Sequence, residues 1–109
     1  MPWQIILFET RRGEKPVEEF INSLGDATAA KVSHTIDLLE KYGYRLGLPH
    51  AKKIDSDLSE LRIRGSEEVR IFYSFRKNKI FLLHGFKKKS QKTPYKEINI
   101  AVKRLELLT

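Results

Sequence analysis

Four segments of the chain have the hydrophobic pattern of β-strands. Residues 3–8 are rich in strand-forming side chains and end at a polar turn. In residues 60–64, apolar and charged side chains alternate, which predicts a strand with an apolar face and a basic face. Residues 69–75 alternate in the same way. Residues 80–86 are apolar on both faces, as is typical of a strand inside a sheet.

Three helices are predicted around these strands. The first starts at Pro16 and stops at Gly25, with apolar residues at helical spacing between them. The second follows at once, with Asp26 as its N-cap and Gly43 as its stop, so the two helices form a hairpin. The third follows the helix-start signal at residues 93–94 and carries an amphipathic stripe.

The order β-α-α-β-β-β-α predicts a single two-layer α+β domain spanning residues 1–109. We expect a small antiparallel sheet, made of the N-terminal strand and a three-stranded meander. The helical hairpin and the C-terminal helix are expected to pack on one face of this sheet and to leave the other face open. Residues 44–56 contain glycine, proline and aspartate and are expected to be irregular.

Composition excludes several classes of site. The chain has no cysteine, which rules out disulfides, thiolate zinc sites and cysteine nucleophiles, and fits a cytoplasmic protein. The apolar N-terminal run has no preceding basic region and no cleavage site, so it is interpreted as a strand and not as a signal peptide or membrane span. His34 and His50 do not pair with carboxylates at metal-ligand spacing. No metal and no cofactor are expected.

Positive charge is concentrated in one stretch, residues 61–92. This stretch holds ten lysines and arginines against two glutamates, a net charge of +8, whereas the whole chain carries +7. The rest of the chain is therefore close to neutral. A basic sheet surface of this kind indicates a polyanionic partner, such as RNA, DNA, a ribosome or an acidic protein.

The same stretch carries sequence motifs of a known family. LSELRIRG, VRIFYSF and IFLLHGFKKKSQKTPYKEI closely resemble the phage-derived, HigB-type toxins of the RelE/ParE superfamily. The portion HGFKKKSQKTP is the most specific, and the helical hairpin and the segment after it also fit, so the resemblance covers most of the chain.

This resemblance implies a toxin of a two-gene toxin–antitoxin module, inhibited by a small antitoxin that is often a helix-turn-helix protein. HigB- and RelE-type members cleave mRNA in the A site of a translating 70S ribosome, without a metal. ParE-type relatives on the same fold poison DNA gyrase, so fold alone leaves the target open. An inactive, prophage-borne relative that binds only RNA or its antitoxin is a third alternative.

Metal-free RNA cleavage requires an aligned 2′-hydroxyl, a proton acceptor and stabilisation of the charge that develops on the phosphate. Arg62 and Arg70 lie on adjacent predicted strands and are expected to hold phosphate from the open face. The resemblance places Arg70 at the position of the family's phosphate-stabilising arginine. It also matches Lys88 and Lys89 to a basic pair, with Lys89 a catalytic candidate, and Lys92 to the lysine of the QKTP element.

Further candidate side chains lie in and next to residues 61–92. The resemblance places Tyr95 near a tyrosine that stacks or assists proton transfer. The family's lysine on the first meander strand is replaced here by Glu60, so Glu60, His84 or a lysine of lowered pKa could accept the proton. A core role for His84 is the structural alternative. Phe72 is expected either to stack on a base or to pack on the sheet. Arg64 and Lys87 are expected to attract phosphate.

Overall fold

The computed structural model describes residues 2–108, which form five strands and three helices around one sheet. In chain order the elements are β1 Gln4–Leu7, α1 Pro16–Asn22, α2 Asp26–Tyr42, β2 Ala51–Lys53, β3 Ser59–Ile63, β4 Val69–Arg76, β5 Lys79–Lys87 and α3 Tyr95–Glu106. The predicted α+β class is confirmed. Within the described residues, no helix is both long and apolar enough to cross a bilayer.

The sheet is mixed, with the strand order β1-β5-β4-β3-β2. Strands β2 to β5 pair antiparallel, as the predicted meander requires. Strand β1, however, pairs with β5 in parallel, which corrects the prediction of a purely antiparallel sheet. Parallel pairing is available because β1 and β5 are far apart in the chain, so a long crossover through the helices and the other strands connects them.

Apolar side chains lie on both faces of the sheet and form two cores. Helices α1 and α2 cover one face, where Val17, Val32 and Leu39 meet the inward side chains of β3, β4 and β5. Helix α3 covers β4 and β5 on the other face through Ala101 and Leu105. The prediction of one open face is therefore wrong, because the apolar stripe of α3 needs a sheet face of its own to bury.

A β-bulge explains why β5 serves both cores. Phe72 pairs with His84 and Tyr73 pairs with Leu82, so Leu83 is one extra residue in the ladder. Before the bulge, Leu82 faces α1 and α2; after it, His84 lies on the α3 side. Strict alternation along the strand would place these two side chains on the same face, and the bulge instead places them on opposite faces.

The segment predicted to be irregular, residues 44–56, holds two short elements. A 3₁₀ turn spans Gly43–Arg45, and strand β2 pairs with β3 at the edge of the sheet. Gly43 has a φ of +52°, and the Trp3 indole occupies the space that a Cβ atom would need there. Trp3 thereby fixes the chain direction where α2 ends.

Candidate nucleic-acid interface

Five basic side chains from three parts of the chain meet at one groove of about 440 Å³. They are Arg62, Arg64, Arg70, Lys88 and Lys89. Glu68, Ser90 and Gln91 complete the lining. We call this the basic groove. It brings together five of the ten lysines and arginines that residues 61–92 contain.

Strand register explains why the two central arginines meet. Arg62 on β3 lies directly opposite Arg70 on β4. Because side chains alternate along a strand, Leu61 and Ile63 enter the core under α1 and α2 and leave Arg62 on the other face. This confirms the predicted alternation.

The segment after β5 is fixed against the β3–β4 turn by hydrogen bonds. The backbone N–H of Lys88 donates to the carbonyl oxygen of Glu68 at 2.8 Å. The Nζ of Lys88 donates to the carbonyl oxygen of Gln91 at 2.9 Å. The lysines that follow the last strand are thus held beside the arginines of the hairpin.

A buried carboxylate sits between the two opposed arginines. Oε1 of Glu60 lies 3.6 Å from Nε of Arg62 and 3.9 Å from Nε of Arg70. Like charges directly opposite each other in a sheet repel. Glu60, whose side chain is only 5% exposed, offsets that repulsion from beneath the groove.

These contacts are too long for hydrogen bonds, so the cluster has unused hydrogen-bonding capacity. Oε2 of Glu60 and the Nε atoms of Arg62 and Arg70 are buried and have no hydrogen-bond partner. Buried polar atoms are nearly always paired with a protein group or an ordered water, and each exception calls for an explanation. All three belong to one ion-pair cluster beneath the basic groove.

Arg70 is far more buried than expected, with a side chain that is 1% exposed. Its Nη2 donates to Oε2 of Glu68 at 3.2 Å, and its Nη1 donates to the carbonyl oxygen of Val69. The prediction that Arg70 points freely from an open face is wrong, because Glu60 and Glu68 hold its guanidinium in the floor of the groove. Arg70 acts there through its charge and its partners.

Phe72 and His84 lie away from the groove, on the sheet under α3. Phe72 is fully buried and packs on Phe86, so its ring is not available to a base, and the packing alternative holds. His84 is half-buried, and its Nε2 lies 2.7 Å from Oε1 of Glu97. Burial lowers the pKa of His84, and Glu97 offsets only part of this effect. His84 therefore contacts α3 and does not line the basic groove, and the catalytic role considered for it stays a prediction.

Three further candidates are exposed but do not line the groove. Lys87 pairs with Glu67 at 2.7 Å, and this hydrogen bond lowers the pKa of Glu67. Lys92 lies in the segment before α3, and Tyr95, at the start of α3, is 82% exposed. Among the residues that the structure describes, no group of three or more His, Asp or Glu side chains is placed to hold a metal ion.

A comparison with models of protein families shows which family this chain belongs to. The model described as phage-derived protein Gp49-like (DUF891) matches residues 19–106. The chain belongs to this Gp49-like family. The match runs from α1 to the end of α3 and therefore includes every residue of the basic groove. Among curated proteins, no sequence matches significantly.

Sequence reasoning missed three residues of the groove lining in this Gp49-like protein, Glu68, Ser90 and Gln91, of which Glu68 carries a charge. Its side chain is 40% exposed and contacts Arg70 from within the lining. In the sequence Glu68 stands in a polar turn, where glutamate is ordinary and gives no signal. Only the docking of residues 88–91 against that turn makes it part of a site.

Proposed function

We propose that this Gp49-like protein is the toxin of a type II toxin–antitoxin module and that it cleaves mRNA on the translating ribosome. The observation that carries the proposal is the convergence of five cationic side chains on one groove above an under-bonded Glu60–Arg62–Arg70 cluster. The family match is consistent with a toxin-like role. The resemblance of the HGFKKKSQKTP portion to HigB-type toxins supports the finer assignment.

In this proposal the groove binds the scissile phosphate. Arg62, Arg64 and Lys89 neutralise the charge that grows on the phosphate as the neighbouring 2′-oxygen attacks. The phosphorus–oxygen bond to the 5′-oxygen then breaks, and the departing oxygen takes a proton from water, leaving a 2′,3′-cyclic phosphate and a new 5′-hydroxyl end. Arg62 is 18% exposed, so it can reach a ligand that Arg70 cannot.

Glu68 is proposed as the acceptor of the 2′-hydroxyl proton. Among the described residues that line the groove, Glu68 is the one with a carboxylate, and this carboxylate is partly exposed beside the cations. Its contact with Arg70 fixes its orientation. Arg70 is then a positioning residue, which aligns Glu68 and adds positive potential from below.

Cleavage on programmed ribosomes tests the proposal. Purified 70S ribosomes carrying a defined message are incubated with the protein, and new 5′ ends are mapped. The groove variant, Arg64→Gln with Lys89→Gln, removes two exposed groove charges and should slow cleavage at least tenfold, since charged hydrogen bonds contribute about 1.5–3 kcal/mol each. The control variant, Lys77→Gln with Lys103→Gln, removes two exposed charges outside the lining and should cleave normally.

Glu68→Gln separates chemistry from binding. The amide keeps a hydrogen-bond acceptor for Arg70 but is a far weaker base, so cleavage should fall while ribosome binding is retained. An intact message at protein concentrations that stop translation would refute the nuclease. Accumulation of gyrase–DNA cleavage complexes would instead identify a ParE-like poison, which is the alternative function.

The proposed partner is a small antitoxin, helix-turn-helix or acidic, encoded beside this gene. Its acidic surface would cover the basic groove and compete with RNA. Co-expression of the two proteins should give a stable complex that does not cleave message. Failure of the pair to co-purify would remove this part of the proposal.

A further inference from the structure

A second cavity, of about 530 Å³, lies at the other end of strands β3 and β4. Its lining includes the aromatic residues Tyr44 and Phe75 and the cations Lys52, Lys53 and Arg76. Arg70 and Arg76 are six residues apart on β4, which is about 20 Å along a strand. The basic groove and this cavity are therefore separate places on the molecule.

An aromatic ring with one open face borders this cavity. Tyr44 stacks on Phe75 with ring centroids 4.0 Å apart and planes at 28°, and the Trp3 ring lies perpendicular to it with centroids 4.9 Å apart. Tyr44 nevertheless remains 71% exposed. Two aromatic neighbours thus hold the ring in place while its outer face meets solvent.

Cations stand next to this platform. Lys52 and Lys53 are exposed on the edge strand β2, and Arg76 pairs with Asp57 at 3.7 Å. One carboxylate therefore opposes three cations in the lining. Hydroxyl groups from Ser56, Ser59 and Tyr73 are present in the lining as well, and burial raises the pKa of Tyr73 to about 12.

We propose that this cavity binds an unpaired RNA nucleotide, with its base stacked on Tyr44 and its phosphates beside Lys52 and Lys53. An open aromatic face next to a positive surface is the pattern by which proteins hold single strands, because every base offers a π-face. The choice of RNA as the polyanion rests on the proposed function. The site itself does not, since it shares no residue with the basic groove.

The chain's one tryptophan reports on this site directly, because Trp3 contacts Tyr44. Short oligouridylate is titrated into the groove variant, in which the contribution of the groove to RNA affinity is reduced. Tryptophan emission should change saturably, and Tyr44→Leu added to that variant should weaken oligonucleotide affinity, measured by anisotropy, about tenfold. Unchanged emission at saturating oligonucleotide would overturn the proposal, as would equal affinity with Tyr44→Leu.

A second variant guards against a folding defect from the loss of Tyr44. Lys52→Gln with Lys53→Gln leaves the aromatic cluster intact and should also weaken binding, by severalfold, with a smaller salt dependence. If the Lys52→Gln, Lys53→Gln variant binds the oligonucleotide as tightly as its parent, whether or not Tyr44→Leu is added, the result would count against the site. Melting temperatures of both variants should match that of the parent protein.

The RNA can come from the message or from the ribosome, and two assays distinguish them. If Tyr44→Leu weakens binding to ribosomes without message, ribosomal RNA supplies the nucleotide; if it weakens only oligonucleotide binding, the message does. The two proposals also fail separately. If the protein does not cleave message but the tryptophan response is present, only the groove proposal fails. If cleavage is present but tryptophan emission does not respond to RNA, only the Tyr44 proposal fails.

Discussion

The Nε2 atom of His84 lies 2.7 Å from Oε1 of Glu97, and this contact joins strand β5 to helix α3. On the other side of the ring, Nη1 of Arg104 lies 3.4 Å from Nδ1 and also donates to the carbonyl oxygen of Leu83. An arginine can only donate, so Nδ1 accepts and the neutral ring carries its proton on Nε2, toward Glu97. The cluster therefore anchors α3 through a neutral histidine.

This anchor predicts a pH dependence of stability. Burial lowers the pKa of His84 below its ordinary value of about 6.5. Glu97 raises this pKa in part, and the positive charge of Arg104 lowers it further. As the pH falls below that value, the unfolded chain binds a proton that the native chain excludes, so the free energy of unfolding decreases. Urea unfolding between pH 5 and pH 8 should show this decrease. His84→Gln should flatten it, whereas His34→Gln, an exposed change on α2, should leave it in place.

The buried arginine gives a second prediction, on stability and not on activity. Arg70→Ala removes a fully buried guanidinium that faces the carboxylates of Glu60 and Glu68, and should lower the free energy of unfolding by about 3–5 kcal/mol. Arg76→Ala on the same strand breaks an ion pair with Asp57 that is largely exposed and should cost about 1 kcal/mol or less. Chemical denaturation of both variants makes the comparison. If both variants lose a similar small amount of unfolding free energy, the buried Glu60 carboxylate does not depend on Arg70.

Arg70 also shows where sequence reasoning reached its limit. Alternation within residues 60–64 and 69–75 correctly predicted which side chains point away from the core under α1 and α2, since that depends only on neighbours along the strand. The burial of Arg70 depends on carboxylates brought in by a neighbouring strand and a turn, which no local pattern contains. The arginines were therefore placed on the correct face but with too much exposure.

The bulge at Leu83 set a similar limit. A period of two predicts the facing of every residue until one extra residue is inserted, and an apolar run gives no sign of the insertion. The consequence was large, because the shift places His84 under α3. The parallel partner of β1 was equally hidden, since pairing between distant segments leaves no local signal.

The end of α2 supplies a third prediction. A Cβ atom at Gly43 would overlap the Trp3 indole, and the φ of +52° is unfavourable for alanine, so Gly43→Ala should destabilise the protein by about 2 kcal/mol or more. Gly47→Ala is the matched control, because a Cβ atom there meets no heavy atom within 4 Å. Thermal unfolding followed by tryptophan emission measures both. Equal melting temperatures would mean that Trp3 moves aside without cost.

The salt dependence of RNA binding provides the last prediction and counts phosphate contacts at the groove. Each contact to single-stranded RNA steepens the plot of log affinity against log salt concentration by about 0.7, because bound counterions are released. The groove variant lacks two exposed cations, Arg64 and Lys89, and its slope should be shallower than that of the parent protein by about 1.4. The control variant, changed at Lys77 and Lys103, should keep the parent slope, since both charges lie outside the groove lining. Parallel lines for all three proteins would mean that the groove does not contact phosphate, whatever the cleavage assay reports.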